Sequence, residues 1–190
     1  MKTATLDVLD KALSQEFHEW QLQDFERRKR NYTESIVMDI PNWNRHYLEI
    51  EAYNLQWNEF KYDTIDNLVA IDEIINSEET GFYMFIVKPN ECIYDMPKNV
   101  FYIGMSGDNN SGRSLKDRLK DYFYLNKIKK RDKVQRLLHK YYPNVYVAYS
   151  LHNAGTNILK QIESSLIGFF YPLCNINDFP IELKQDKKAF

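Results

Sequence analysis

Hydrophobic and polar residues recur with two different periods along the chain, and the changes of period mark the predicted elements. Over residues 5–30 apolar side chains return every three or four positions, which predicts a long amphipathic helix. Residues 34–62 instead alternate apolar and polar positions and are rich in aromatic rings, a pattern typical of half-buried strands. A second periodic stretch follows the candidate caps Asp63 and Thr64 and predicts a short helix.

From Gly81 onwards the pattern predicts three strands and three helices. The segments GFYMFIV and VFYIGM are short, aromatic and β-branched, so we expect them to be neighbouring antiparallel strands. Ser114, with Asp117 three positions later, resembles a capping box at the start of a helix. The remaining pattern predicts a basic helix over residues 132–141, a strand in NVYVAYSL and a helix in TNILKQIESSLIGFF.

These elements predict an α+β protein with a small three-stranded antiparallel sheet flanked by helices. Residues 81–190 would form the main domain. Residues 1–80 would form an acidic N-terminal extension with a long helix, strands and a short helix, and the polar run at 76–80 is the candidate joint. A length of 190 residues with 44% apolar content suits one packed domain with such an extension.

Charge is distributed unevenly around a net value of −2. Residues 1–80 hold 8 Lys and Arg against 17 Asp and Glu, whereas residues 113–140 hold 11 Lys and Arg against 3 Asp and Glu. Because cations that neutralise phosphates release counterions, the basic segment predicts binding of a polyanion such as double-stranded DNA. A solvated helical face is the alternative. The candidate DNA-contacting residues are Arg113, Lys116, Lys120, Lys127, Lys129, Lys130 and Arg131.

Cysteine spacing and hydropathy argue against several classes of protein. Cys92 and Cys174 are the two cysteines and have no metal-binding spacing, which favours two reduced thiols over a disulfide framework or structural zinc. No apolar run reaches the roughly 18 residues that a membrane span needs, and the N-terminus lacks the apolar core of a signal peptide. No phosphate-binding or dinucleotide motif occurs, so we expect no nucleotide cofactor. The interpretation is a soluble, cytoplasmic protein with no membrane partner.

Two charged side chains lie at the borders of predicted apolar stripes. Arg118 falls at the edge of the stripe in the helix after Ser114, with Tyr122 one turn away on the same side. Glu163 lies at the border of the stripe in the last predicted helix. A carboxylate at the rim of a core faces a cleft more often than open water, and an ordinary surface Glu is the alternative.

Five short motifs stand in one order along the chain: Gly81-Phe82-Tyr83, Tyr102-Ile103-Gly104, Arg118, Glu163 and Asn175. In this order, on predicted strand, strand, helix and helix, they resemble the motifs of the GIY-YIG nuclease superfamily. The segment LKDRLKDYF also resembles the corresponding helix in the N-terminal domain of the excinuclease UvrC, and the resemblance as a whole is to a restriction-type or UvrC-like catalytic domain. Each motif is weak alone, and the resemblance rests on their order over about residues 81–177.

The resemblance implies a phosphodiester hydrolase that uses one divalent cation. Glu163 would hold a single Mg²⁺, for which Mn²⁺ could substitute. Arg118 would stabilise negative charge on the non-bridging oxygens. Tyr83 is implied as the general base and Tyr102 as a group that positions water or phosphate, although a Tyr pKa of about 10 would have to be lowered by Arg and metal. Asn175 would support the phosphate or the metal-binding Glu.

Two positions depart from the resemblance. Met105 follows Tyr102-Ile103-Gly104 where several members carry a Lys that can serve as base, so this chain cannot use that route. Tyr122 stands where some restriction-type members carry His, so its contribution would be that of a hydroxyl donor. The tyrosines or the metal would therefore have to activate the attacking water.

The sequence leads to the hypothesis of a divalent-metal-dependent DNA endonuclease. The leading version is a site-specific restriction-type enzyme that acts as a homodimer to cut both strands. A homing or repair-type nicking nuclease is the alternative within the same class. A catalytically silent nucleic-acid-binding or regulatory protein is the alternative from a different class.

Overall fold

The computed structural model describes residues 4–16, 40–88, 99–107 and 112–175. Within these ranges the helices are α1 (Ala4–Glu16), α2 (Ile40–Glu51), α3 (Val69–Ile74), α4 (Leu115–Lys120), α5 (Leu125–Ile128), α6 (Asp132–Tyr141) and α7 (Thr156–Phe170). The strands are β1 (Asn58–Lys61), β2 (Gly81–Val87), β3 (Asn99–Met105) and β4 (Val145–Leu151), and 3₁₀ turns lie at Tyr62–Thr64 and Leu173–Asn175. None of these helices is long and apolar enough to cross a membrane.

The strands form one antiparallel sheet in the order β1-β4-β2-β3. β2 lies in its interior, with Tyr83 opposite Gly104 of β3 on one side and opposite Tyr149 of β4 on the other. The predicted α+β class, with an antiparallel sheet flanked by helices, is confirmed. In the described residues the sheet has four strands where three were predicted, because β1 pairs with β4.

The side chains of β2 alternate between two apolar cores, one on each face of the sheet. Tyr83 and Phe85 belong to the first core, which α1, α4, α5, α6 and the residues around α3 complete. Phe82, Met84 and Ile86 belong to the second core, which α7 and residues at the end of α2 cover. Because both faces are covered, β2 is a continuous apolar run instead of an alternating one.

Residues 40–51 form helix α2, so the prediction of half-buried strands over 34–62 is wrong for this part. Strand structure in the described part of that segment is confined to β1, and residues 34–39 lie outside the described residues. Two of the apolar residues in this helix are not buried, since Tyr47 is 50% exposed and Leu48 is 64% exposed.

Most other predicted elements lie where the pattern placed them. Strands β2, β3 and β4 and helices α6 and α7 are confirmed. The Ser114 hydroxyl caps α4 by accepting a hydrogen bond from the Asp117 amide at 3.4 Å. Helix α5 was not predicted. The N-terminal helix predicted over 5–30 is confirmed as far as Glu16, and residues 17–39 lie outside the described residues.

Segments of the predicted N-terminal extension, residues 1–80, share the sheet and the first core with the rest of the chain. Strand β1 is hydrogen-bonded to β4 along its length. The Tyr62 hydroxyl donates to the backbone carbonyl of Tyr122 at 2.9 Å. Leu9 of α1 is fully buried in the core that contains Tyr83. A domain boundary near residue 80 stays a prediction, and the two sides of that position are packed together.

Candidate functional site

Two glycines allow close contacts of β2 with its neighbouring strands. Gly81 begins β2 so close to β4 that a Cβ would overlap the carbonyl oxygen of Ser150. Gly104 lies opposite Tyr83 across the β2–β3 pair, and a Cβ there would come within 2.5 Å of the Tyr83 Cζ atom. A residue without a side chain is therefore needed at position 104 for the Tyr83 ring to cross β3. Close packing thus explains why both sequence motifs contain a glycine at these positions.

The side chains of Tyr83, Tyr102 and Tyr122 converge on the first face of the sheet. The Tyr83 and Tyr122 hydroxyl oxygens are 2.7 Å apart. The ring centroids are 5.6 Å apart for Tyr83 and Tyr122 and 6.0 Å apart for each of the other two pairs. Tyr83 and Tyr122 are fully buried, whereas Tyr102 is half-buried. Tyr102 is therefore the member of this group that a molecule from solvent can reach.

Arg131, predicted as a DNA-contacting residue, lies inside the tyrosine group. Its Nη1 donates to the Tyr122 hydroxyl at 2.5 Å and lies 3.4 Å from the Tyr102 hydroxyl. Its Cζ is 4.7 Å from the centroid of the Tyr122 ring, which is a cation–π distance. Arg131 precedes the first residue of α6, so the start of that helix brings the guanidinium to the site.

Three guanidinium groups lie close to the buried carboxylate of Asp121. Its side chain is 6% exposed, and Arg113 binds it with two hydrogen bonds of 2.8 Å each. Arg118 lies 3.7 Å and Arg131 lies 3.8 Å from its Oδ2. Burial by itself would raise the pKa of the Asp121 carboxyl, but the hydrogen bonds and charge of Arg113 and the charges of Arg131 and Arg118 outweigh it and lower the pKa.

Arg118 lies at the edge of this group, as its spacing from Tyr122 predicted. Its side chain is 23% exposed, and its buried Nε has no hydrogen-bond partner. Burial disfavours the charge, but the neighbouring hydroxyls of Tyr83, Tyr122 and Tyr102 outweigh it, so the pKa of Arg118 is raised. Three charged guanidinium groups against one carboxylate leave an excess of positive charge, which suits binding of an anion.

The buried tyrosines keep their protons at neutral pH. Burial raises the pKa of the Tyr83 hydroxyl, and Tyr102 adds to that effect. The charges of Arg118 and Arg131 and the hydrogen bond with Tyr122 lower it, but they offset only part of the increase. The pKa of Tyr122 is also raised, chiefly by burial. The arginine predicted to lower the Tyr83 pKa therefore does so only in part.

Glu163 lies on α7, half-buried and one turn from the buried Leu159 and from Ile167. These two neighbours belong to the second core, so α7 covers the face of the sheet opposite to Tyr83. Within the described residues no group of three or more His, Cys, Asp or Glu side chains could hold a metal ion. Mg²⁺ is often held by one or two carboxylates together with waters and substrate phosphates, so a single Glu163 carboxylate fits the chemistry of that ion.

Asn175 is bound to the edge strand of the sheet. Its Oδ1 accepts from the Ile103 amide at 2.9 Å, and its Nδ2 donates to the Ile103 carbonyl at 2.9 Å. The side chain is buried, and Ile103 is the neighbour of Tyr102. The carboxamide therefore holds the strand that carries Tyr102, and it protects an otherwise open sheet edge.

The predicted DNA-contacting lysines fall into two groups. Lys116 is paired with Glu78, and Lys120 lies 2.6 Å from Asp72, so both are bound to carboxylates near α3. Lys127, Lys129 and Lys130 are exposed at and after α5. No ion pair joins any of these three to a carboxylate in the part of the chain that the structure describes.

Sequence reasoning missed Asp121, and it did not predict that Arg131 lies within the tyrosine group. Asp121 is three residues after Arg118 and next to Tyr122, a spacing that could have suggested a pair on one helical face. The contacts of Arg113 and Arg131 with Asp121 join residues from before and after the helix, so no local period could have predicted them.

No protein-family model, no curated protein and no solved structure matches the chain.

Proposed function

We propose that the protein is a divalent-metal-dependent DNA endonuclease that hydrolyses phosphodiester bonds, with a catalytic unit of the GIY-YIG type. The observation that carries this proposal is the convergence of three tyrosine side chains on Arg131, which lies with Arg118 beside one buried carboxylate. This group combines an excess of positive charge with hydroxyls that can carry protons. A phosphodiester needs both when it is hydrolysed.

Arg118 and Arg131 would bind the non-bridging oxygens of the phosphate. A guanidinium presents a planar fork of donors that matches phosphate geometry, and a partly buried one acts in a weaker dielectric than water. Asp121 would keep both groups oriented and charged. The arginines would then stabilise the additional negative charge that develops as the phosphate is attacked.

The tyrosines would orient the attacking water, whose proton would pass to bulk solvent because the buried hydroxyls keep their own protons. Tyr102 is the half-buried member, so it would contact the water or the phosphate directly. Tyr83 is implied as the general base, but it is fully buried behind the group and its pKa is raised. Because a protonated hydroxyl is a poor proton acceptor, Tyr83 would instead orient Tyr122 through the 2.7 Å contact between their hydroxyls.

Glu163 would hold one Mg²⁺ when DNA is bound, with Mn²⁺ as a substitute, and the cation would polarise the phosphate and stabilise the leaving oxygen. Asn175 would keep β3, and with it Tyr102, in place from the strand edge. The basic segment would attract the polyanion through its charge.

A site-specific restriction-type enzyme, acting as a homodimer, is the version that we favour. A homing or repair-type nicking nuclease would use the same group of residues. A silent DNA-binding protein is the second candidate function, because the raised pKa of Tyr83 and the position of Glu163 on a helix of the other face both disfavour catalysis.

Incubation of the purified protein with supercoiled plasmid and Mg²⁺ tests the proposal. Discrete fragments would support the restriction-type enzyme, whereas nicked circles would support the nicking nuclease. Glu163→Ala should abolish cutting and leave the affinity for DNA within about threefold of the parent, because a carboxylate adds no attraction for the phosphate backbone. Undiminished cutting by this variant would contradict the metal assignment. Retained binding without cutting by the parent protein would support the silent DNA-binding protein.

A further inference from the structure

We propose that the exposed lysines around the α5–α6 turn, Lys127, Lys129, Lys130 and Lys133, form the surface that binds the phosphate backbone of duplex DNA beside the site. We call these four residues the turn surface. The inference rests on the proposed function and deepens it. It assigns DNA binding to the turn surface and not to the lysines of α4, which the sequence also predicted to contact DNA.

The lysines of α4 already form ion pairs with carboxylates of the protein. Lys116 pairs with Glu78 and lies 4.0 Å from Asp72, and Lys120 lies 2.6 Å from Asp72 and 3.9 Å from Asp117. Both lysine side chains are largely buried, at 16% and 18% exposure. A phosphate could bind them only after these pairs were broken, so α4 is fixed to α3 instead of facing DNA.

The turn surface is different in exposure and in charge. All four lysines are exposed, and within residues 127–133 five cations face one acid, Asp132. Asp132 lies 3.7 Å from Arg136 one turn further along α6. In the part of the chain that the structure describes, no ion pair joins Asp132 to any of the four lysines, which retain their attraction for a polyanion.

The backbone of the turn is held in a defined shape. The amides of Lys130 and Arg131 donate to the carbonyls of Lys127 and Ile128 at 3.2 Å and 2.9 Å. The Ile128 side chain is fully buried and anchors the turn in the first core. The lysines are therefore carried on a fixed frame, which lowers the entropy lost when they bind successive phosphates.

The turn surface is continuous with the candidate site through Arg131. This residue ends the turn, and its guanidinium contacts the hydroxyls of Tyr122 and Tyr102. Lys129 and Lys130 directly precede it, so their backbones lie within about 8 Å of the residue that would bind the reacting phosphate. Neighbouring phosphates of the same strand fall within reach of lysines at that spacing.

The salt dependence of DNA binding tests this surface without reference to cutting. Affinity for a short duplex, measured by fluorescence anisotropy in EDTA over a range of NaCl, gives a slope of log K against log salt that counts neutralised phosphates at about 0.9 each. We expect the quadruple variant K127Q/K129Q/K130Q/K133Q to lower the magnitude of this slope by about 2 to 4 and to weaken binding about tenfold or more. The double variant K116Q/K120Q should leave the slope unchanged and lower the melting temperature.

Two controls separate the loss of charge from a loss of folding. The quadruple Lys→Arg variant keeps the charges and should restore the slope, and the melting temperature of the Gln variant should match that of the parent because its four positions are exposed. An unchanged slope in the quadruple Gln variant, an equal loss in the α4 variant, no duplex binding by the parent, or tighter binding of duplex RNA would each overturn the proposal. If the variants change the slope as expected but the parent never cuts DNA with Mg²⁺, the turn surface is supported and the proposal of an endonuclease is refuted.

Discussion

Gly104 leaves the space that the Tyr83 ring occupies. Adding a single Cβ atom at position 104 therefore tests whether the ring lies there. We expect Gly104→Ala to force the ring away from β3 and to cost roughly 1–3 kcal/mol of unfolding free energy, which is the usual penalty for overpacking. Denaturant unfolding measures this cost. Gly155→Ala is the matched control, because a Cβ there meets nothing within 4 Å. A cost at position 104 no larger than that at position 155 would contradict the packing argument.

Asp121 connects three arginines, and its lowered pKa gives this connection a pH dependence. A carboxyl whose folded pKa is lowered contributes stability that is present above its unfolded pKa of about 3.9 and is lost as pH falls through the folded value. We therefore expect the parent to be more stable than Asp121→Asn at neutral pH. The difference should shrink below about pH 4, as followed by urea unfolding at several pH values. A difference that is constant down to pH 2 would show that the charge is not its cause.

The packing of α2 on α7 depends on an equally close contact between elements. A Cβ on Gly168 would lie 2.8 Å from the Cδ2 and Cε1 atoms of His46, whose Nδ1 is 3.1 Å from Glu49, and the Ser165 hydroxyl donates to Glu49 at 2.6 Å. We expect Gly168→Ala to destabilise the protein by about 1–3 kcal/mol. The double variant with His46→Ala should recover part of this loss in a double-mutant cycle of unfolding free energies. Strict additivity of the two changes would refute the contact.

The same helix shows why one element was predicted wrongly. Residues 48–52 alternate in polarity, yet the structure forms a helix here that buries His46 and exposes Tyr47 and Leu48. The polar His46 is buried beside Glu49 and Gly168, a tertiary environment that a hydropathy pattern cannot show. By contrast, α6 and α7 carry apolar stripes of helical period long enough to outweigh local exceptions, and their predicted bounds are confirmed.

The candidate site was predictable where local spacing places a residue on an element. Arg118 and Tyr122 are four positions apart, and both contribute to the group on the first face of the sheet. The contacts of Arg131 with Tyr102 and Tyr122 depend on how the α5–α6 turn folds back over the sheet. The pairing of Lys116 and Lys120 with acids near α3 likewise requires the tertiary structure, so charge counts alone could not predict it.

At the scale of the whole molecule, residues 1–80 are part of the fold that supports the candidate site. Strand β1 covers the edge of β4, and Tyr62, Ile65, Ile71 and Ile75 lie in the core that contains Tyr83 and Tyr122. The Tyr62 hydroxyl also binds the backbone of Tyr122. Acids of this segment neutralise lysines of α4, so its negative charge stabilises the structure at that surface.

We therefore expect a chain that begins at Gly81 to lose cooperative thermal unfolding, because an open β4 edge and an incomplete core remain. A mixture with the 1–80 fragment should restore the transition. All three tryptophans lie in residues 1–80, so their emission reports reassociation directly, since Trp57 sits beside β1 in the second core. A truncated chain that unfolds cooperatively at the parent's melting temperature would show that the domain predicted over 81–190 is autonomous. A blue shift of tryptophan emission on mixing, together with recovered plasmid cutting, would show that both parts are needed to assemble the site.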